Sequence, residues 1–157
     1  MQDRTTRAAR RSRNFLWPNG IVYYTFHSSV TSTTRNTTIR AINTWTSGTC
    51  LRFLVRSSQS DYIEFTAHDS NPRCFSSYIG KKGGKQQIQL GPRCRTVGIV
   101  MHEIGHAIGL WHEQSRPDRN RYVRVVKENI ADFDDPPDGN DDEERQFQSR
   151  STYEVQY

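Results

Sequence analysis

Residues 102–112 read HEIGHAIGLWH, and this stretch decides how the rest of the chain is interpreted. His102 and His106 are four residues apart, so on a helix both imidazoles lie on one face and can bind one Zn²⁺ ion at about 2.0–2.1 Å. Gly109 lets the chain leave the helix through a left-handed conformation, which brings His112 back as a third ligand. Three neutral nitrogens leave a coordination position open for water, as a catalytic zinc requires.

Glu103 directly follows the first of these histidines. This position allows the carboxylate to contact a water at the metal, but it is poor for binding the metal itself, so Glu103 is the predicted general base. The alternative is a helix with three incidental histidines, because a bare His-Glu-x-x-His pattern also arises by chance. Three of the chain's five histidines fall in this stretch together with Gly109, which favours the metal site.

Composition limits the other functions that the chain can have. The net charge is +5, with five arginines in residues 1–13 and eight acidic residues in 132–144. Neither segment interleaves aromatic and basic residues, so we expect no nucleic-acid partner. No apolar run approaches the roughly 20 residues of a membrane span. The arginine-rich start lacks the apolar region of a signal peptide, so none is expected in this chain.

Hydrophobic periodicity and turn residues predict a mixture of strands and helices before and after this motif. A glycine-rich loop over 80–84 predicts a hairpin between two of the strands. The predicted elements are a strand at Ile21–Phe26, a helix over 31–49, strands at Leu51–Val55, Tyr62–Ala67, Phe75–Ile79 and Gln86–Leu90, a helix at Thr96–Leu110, and a short strand at Tyr122–Val126.

The motif is the extended signature of the metzincins, and the residues after it narrow the resemblance. The sequence EQSRPDR over 113–119 resembles the segment that sets astacins apart from other metzincins. The stretches LWPNGIVYY over 16–24 and CFSSYIG over 74–80 also resemble astacins, as do parts of 122–130. Over residues 14–131 the chain therefore resembles the astacin family of zinc metalloendopeptidases.

The resemblance implies an α+β fold, the upper lobe of a metzincin (zincin-like) domain with a twisted, mixed five-strand sheet and two long helices. It implies a secreted enzyme, made as a zymogen, that holds one Zn²⁺ per chain and cuts internal bonds of peptide or protein substrates. The strand that begins at Cys74 is the edge strand in the family. Its predicted substrate-binding residues are Cys74, Phe75, Ser76, Ser77 and Tyr78.

The resemblance also assigns the cysteines and the start of the mature chain. Cys74 and Cys94 are expected to form a disulfide, which leaves Cys50 unpaired in this chain. Glu113 is expected to anchor the ammonium group of a mature N-terminus. In the family, the mature chain begins a fixed distance before the tryptophan that corresponds to Trp17. This places the activating cut between Arg7 and Ala8, with cuts after Arg11 or Arg13 as alternatives.

The sequence departs from the family after the third histidine. None of the residues that follow His112 is a methionine, so the methionine turn and most of the lower lobe are expected to be missing. The domains are then 1–13, a basic arm or propeptide remnant; 14–131, an astacin-like catalytic domain; and 132–157, an acidic C-terminal tail that is expected to be disordered or atypical. The alternative function is a zinc-binding, catalytically weak or inactive truncated isoform that acts as a binding decoy. The oligomeric state stays open.

Overall fold

The computed structural model describes Ala9, Arg10, 12–113, Asp118, Arg121, Tyr122 and Arg124. Within it, Ala9–Trp111 is one compact unit, and a second unit begins at His112. In that second unit the Arg121 amide donates a hydrogen bond to the carbonyl of Asp118. The predicted strand Tyr122–Val126 lies largely outside the described residues, and the acidic segment 132–157 lies outside them entirely.

Five strands form one mixed sheet in the Ala9–Trp111 unit. Their order is β2-β1-β3-β5-β4. β1 pairs in parallel with β2 and β3, β3 pairs in parallel with β5, and β4 pairs antiparallel with β5 at the edge of the sheet. This arrangement confirms the predicted mixed five-strand sheet. The strands are β1 Ile21–Phe26, β2 Arg52–Val55, β3 Tyr62–Ala67, β4 Cys74–Ser76 and β5 Lys85–Leu90.

β1 and β3 form from runs that are rich in β-branched and aromatic residues. In β3, Ile63 and Phe65 are fully buried, while Tyr62 and Glu64, which alternate with them, are partly exposed. Burying apolar side chains contributes about 1.5–3 kcal/mol each, so this alternation determines which face of the sheet meets the helices. The core formed in this way includes Trp17, Val22, Tyr24, Ala41, Ile42, Ile63, Phe65, Ile88, Leu90, Val100, Ile104 and Ala107.

β4 is shorter than the predicted strand Phe75–Ile79. It spans Cys74–Ser76, because the chain turns away from β5 soon afterwards: the Ser76 hydroxyl donates to the carbonyl of Tyr78 at 2.9 Å. Beyond this turn, the amide of Gly80 donates to the carbonyl of His106 at 2.8 Å instead of to a strand.

Two helices pack on the sheet, and a threonine caps the start of each. α1 spans Ser32–Gly48, and the Thr31 hydroxyl accepts a hydrogen bond from the Thr34 amide. α2 spans Val97–Ala107, and the Thr96 side chain accepts from the Ile99 amide. Such caps satisfy amides that have no partner within the helix. Neither helix, nor any other in the described part of the chain, is long and apolar enough to cross a membrane.

α2 ends at Ala107, three residues before the predicted end at Leu110. Gly109 has φ 112°, the left-handed conformation that closes a helix. The Leu110 amide then bonds back to the carbonyl of Gly105, and the Gly109 amide bonds to the carbonyl of His106, both at 2.9 Å. These two bonds form a Schellman motif, so the helix cannot continue to Leu110.

Two tryptophans hold α2 against the rest of the unit. The indole N–H of Trp17 donates to the carbonyl of Ala107 at 2.9 Å, and that of Trp45 donates to the carbonyl of Met101 at 3.1 Å. Trp17 precedes β1 and Trp45 lies in α1. The segment of α2 that carries the histidines is therefore tied to two other elements by bonds to its own backbone.

A disulfide joins β4 to the segment before α2. The sulfurs of Cys74 and Cys94 are bonded, and the two residues are 20 apart in sequence. Closing a loop of this length is worth about 3 kcal/mol in the loop-entropy model. The thiol of Cys50 is free and exposed.

Gly80 and Gly83 make a matched test of how closely the loop after β4 is packed. Both have positive φ, 81° and 91°. A Cβ at Gly80 would lie 2.7 Å from the carbonyl oxygen of Phe15, whereas a Cβ at Gly83 would meet nothing within 4 Å. Replacement by alanine should therefore cost about 1 kcal/mol of unfolding free energy at Gly83, from backbone strain alone, and about 2–4 kcal/mol at Gly80. Urea denaturation measures both, and equal losses would contradict the close packing.

Candidate metal centre

Two imidazoles converge on one face of α2. His102 and His106 lie one helical turn apart, and their Nε2 atoms are 3.0 Å from each other. Two nitrogens bound to one tetrahedral zinc at about 2.0–2.1 Å are about 3.3 Å apart. The separation is close to what a shared metal ion requires.

The ring of His106 is oriented by the turn that ends α2. Its Nδ1 lies 2.8 Å from the carbonyl oxygen of Leu110. A carbonyl can only accept, so Nδ1 carries the proton and donates it, which leaves Nε2 as the metal-binding nitrogen. Histidine ligands are commonly oriented by such a bond to a carbonyl.

His112 completes the predicted ligand set. The side chains of His102, His106 and His112 each offer one ligand atom, and these atoms all lie within 4.8 Å of one another. Three imidazole nitrogens are the donor set of a catalytic zinc site with one open position. The residues present therefore fit a zinc ion.

Partial desolvation favours the form of both α2 imidazoles that binds a metal. Packing of protein around the His102 ring lowers its pKa, and the neighbouring His106 lowers it further. Burial also lowers the pKa of His106, against the bond to the Leu110 carbonyl, which raises it. A lowered pKa favours the neutral imidazole, which is the metal-binding state.

Glu103 is a buried carboxyl with an uncommitted oxygen. Its side chain is 6% exposed. The backbone N–H of Ser76 donates to this carboxyl, while Oε2 has no hydrogen-bond partner among the described residues. Burial raises the pKa of Glu103 to about 7, and the bond from Ser76 opposes that rise. A buried polar atom without a partner is costly, so it marks a place where a ligand or water is expected to bind.

The open edge of β4 lies next to Glu103. The carbonyl of Arg73 accepts from the amide of Gly91, and the amide of Ser77 donates to the carbonyl of Gln87, so the backbone groups of residues 73, 75 and 77 face β5. By alternation, the backbone groups of Cys74 and Ser76 face the open edge. The Ser76 amide on this edge is the group that bonds to Glu103.

The other predicted site residues are placed as follows. Phe75 is exposed at 39%, and Tyr78 lies in the turn after β4, with its ring 6.1 Å from that of Phe15. Glu113 is exposed, and Met1–Ala8, which include the predicted cut, lie outside the described residues. The roles of the Leu110 carbonyl and the Ser76 amide were not predicted, because backbone groups leave no side-chain signal in a sequence.

Comparisons with known proteins agree with this site. The family model "Astacin", which describes a peptidase family, matches residues 9–157. Human Tolloid-like protein 1 is 39% identical over 130 residues, which are 82% of this chain, and the zinc metalloproteinase nas-36 of Caenorhabditis elegans is 40% identical over 134 residues, also 82% of this chain. The solved structure of high choriolytic enzyme 1, a hatching enzyme zinc-protease from Oryzias latipes, matches with a TM-score of 0.70 and 33% identity over 78% of this chain.

The chain spans only part of each of these proteins. It covers 12% of Tolloid-like protein 1, 21% of nas-36 and 64% of the choriolytic enzyme chain. The structural match confirms the predicted α+β fold of the metzincin upper lobe. The family match covers nearly the whole chain and includes the three-histidine group described above. This chain belongs to the astacin family of zinc metallopeptidases.

Proposed function

We propose that this chain is a zinc-dependent endopeptidase with Glu103 as its general base. The observation that carries the proposal is the uncommitted carboxylate oxygen of Glu103, buried beside two convergent imidazoles. A zinc ion held by His102, His106 and His112 would supply a Lewis acid that lowers the pKa of water and polarises a peptide carbonyl.

The chain's own residues would then move the proton. Glu103 accepts a proton from the attacking water and passes it to the leaving amine, so that no covalent intermediate with the protein is needed. The bond from the Ser76 amide fixes one side of the carboxyl while Oε2 stays available. Burial supports this role, because an environment that raises the pKa of the Glu103 carboxyl makes the carboxylate a stronger base.

The proposed substrate is an extended peptide paired with the open edge of β4. The backbone groups of Cys74 and the carbonyl of Ser76 face that edge, where a peptide can add as a further strand. Phe75, Ser77 and Tyr78 complete the proposed binding segment. Since the Ser76 amide bonds to Glu103, a peptide on this edge lies next to the general base.

Two further proposals concern where the chain works and how it is activated. The disulfide between Cys74 and Cys94 supports secretion, because such bonds persist in oxidising compartments. We further propose that a cut between Arg7 and Ala8 frees an ammonium group that binds Glu113. The support is that the backbone at Ala9 forms a bridge with Leu110, close to the start of the proposed mature chain.

The test is hydrolysis of an internally quenched peptide by the purified chain. We expect peptide cleavage that a zinc chelator abolishes and that added Zn²⁺ restores, with zinc measured at about one ion per chain in the active sample. Mass spectrometry of the products checks that an internal bond is cut. A sample that holds one zinc per chain but does not cleave would favour the binding decoy, and cleavage unaffected by the chelator would reject the zinc mechanism.

A further inference from the structure

The turn that orients His106 is itself held by the N-terminal arm. The Leu110 carbonyl that accepts from the His106 ring belongs to the segment Gly109–Trp111. On this segment, the Arg10 amide donates to the carbonyl of Gly109 at 2.8 Å, and Ala9 forms an antiparallel bridge with Leu110. The arm therefore pairs with the backbone that positions a metal ligand.

The side chain of Arg10 makes further contacts between the arm and the rest of the unit. Its Nε donates to the carbonyl of Ile79 at 3.1 Å, across 69 residues of sequence. Its guanidinium carbon lies 4.2 Å from the ring centre of Phe15, 5.2 Å from that of Tyr78 and 5.4 Å from that of Trp111. Each cation–π contact is worth about 0.5–2 kcal/mol, and the three rings come from the segment just after the arm, the loop after β4 and the turn after α2.

A single guanidinium thus joins three segments around the end of α2. The loop that it contacts also reaches the metal helix directly, since the amide of Gly80 donates to the carbonyl of His106. If the guanidinium is removed, the segment Gly109–Trp111 loses this side-chain clamp and is held by backbone bonds alone, those of the Schellman motif and the pairing with the arm. The Leu110 carbonyl is then less well fixed relative to the His106 ring.

We propose that Arg10 is a positioning residue for the metal centre, which acts through the Leu110 carbonyl on the orientation of His106. The inference rests on the proposed zinc site and adds to it a residue outside the ligand motif. Arg10 is not one of the proposed metal ligands or substrate-binding residues. Groups that orient metal-binding histidines typically affect metal affinity by about 10–100-fold.

The experiment compares Arg10→Met and Arg10→Lys in the full chain. Zinc affinity is measured by competition with a chromophoric chelator, and the visible spectrum of the Co²⁺-loaded protein reports the ligand geometry. We expect Arg10→Met to bind zinc about 10-fold more weakly or worse and to alter the cobalt spectrum. Arg10→Lys keeps the cation over the aromatic rings and should recover part of the affinity.

Arg56 provides the matched control. Its Nε also donates to a backbone carbonyl, that of Gln59, and its guanidinium also stacks on a ring, that of Tyr62 at 4.0 Å. Arg56→Met loses the same kinds of contact without touching the turn after α2. It should keep wild-type zinc affinity and an unchanged cobalt spectrum, even if it lowers the melting temperature.

The possible outcomes distinguish a failure of the role proposed for Arg10 from a failure of the proposed zinc site. Wild-type affinity and spectrum in Arg10→Met would overturn the positioning role while leaving the site intact, and so would an equal loss of affinity in Arg56→Met. Absence of zinc from the wild-type chain would instead reject the proposed function. If Arg10→Met does not fold, Phe15→Leu removes the ring nearest the guanidinium, and unchanged zinc affinity in that variant would also overturn the inference.

Discussion

Replacing His106 with alanine is expected to reduce bound zinc from about one ion per chain to nearly none. His106 provides one of the two imidazoles that converge on α2, with its Nε2 3.0 Å from that of His102. Alanine removes this nitrogen and leaves only two imidazoles of the proposed set, too few for the three protein ligands of a catalytic zinc site. Metal analysis of protein purified in the presence of zinc measures the change.

The control for this prediction is His68→Ala. His68 is an exposed histidine that follows β3, and it is not part of the three-histidine group. Its replacement should leave the zinc content at that of the wild type, which excludes adventitious binding to surface histidines. Zinc content that is unchanged in His106→Ala would show that the ligands are assigned incorrectly.

The elements that could be predicted from the sequence are those with local signals. Strands β1 and β3 have the predicted bounds, because a run rich in β-branched and aromatic residues is visible within six residues. The spacing of His102 and His106 likewise predicts their shared helical face. The end of α2 was misplaced even though Gly109 had been identified as the exit point, because an apolar pattern continues past the Schellman motif into Leu110.

The parts that could not be predicted depend on contacts between distant segments. The strand order of the sheet was not predicted beyond the edge position that the resemblance implied for the strand at Cys74, since periodicity does not say which strands pair. Residues 1–13 were interpreted as a basic arm with processing sites, whereas Arg10 contacts Ile79 across 69 residues and lies among three aromatic rings. Single-sequence patterns cannot reveal such a contact, because each partner lies in a different predicted element.

Replacing the proposed general base, Glu103, with glutamine is expected to cause the second large effect, a loss of peptidase activity. Glutamine has nearly the same shape, and its amide oxygen can still accept from the Ser76 amide, so the fold and the bound zinc should be retained. It cannot take up a proton at neutral pH, so kcat/KM for an internally quenched peptide should fall by about 10²–10⁴-fold. Kinetics and metal analysis of the same sample measure both quantities.

Glu64→Gln is the matched control for Glu103→Gln. Glu64 is also a hydrogen-bonded carboxylate, which accepts from Lys85 and from the side chain of Gln87, but it lies in β3 and is not part of the proposed site. Its replacement removes the same negative charge, and we expect kcat/KM to stay within about twofold of the wild type, since it neither touches the substrate nor orients a group that does. If the two variants lose activity equally, the loss comes from the change in charge or in the fold and not from the removal of a general base. If Glu103→Gln is as active as the wild type, proton transfer does not pass through Glu103, and the measured hydrolysis has another origin.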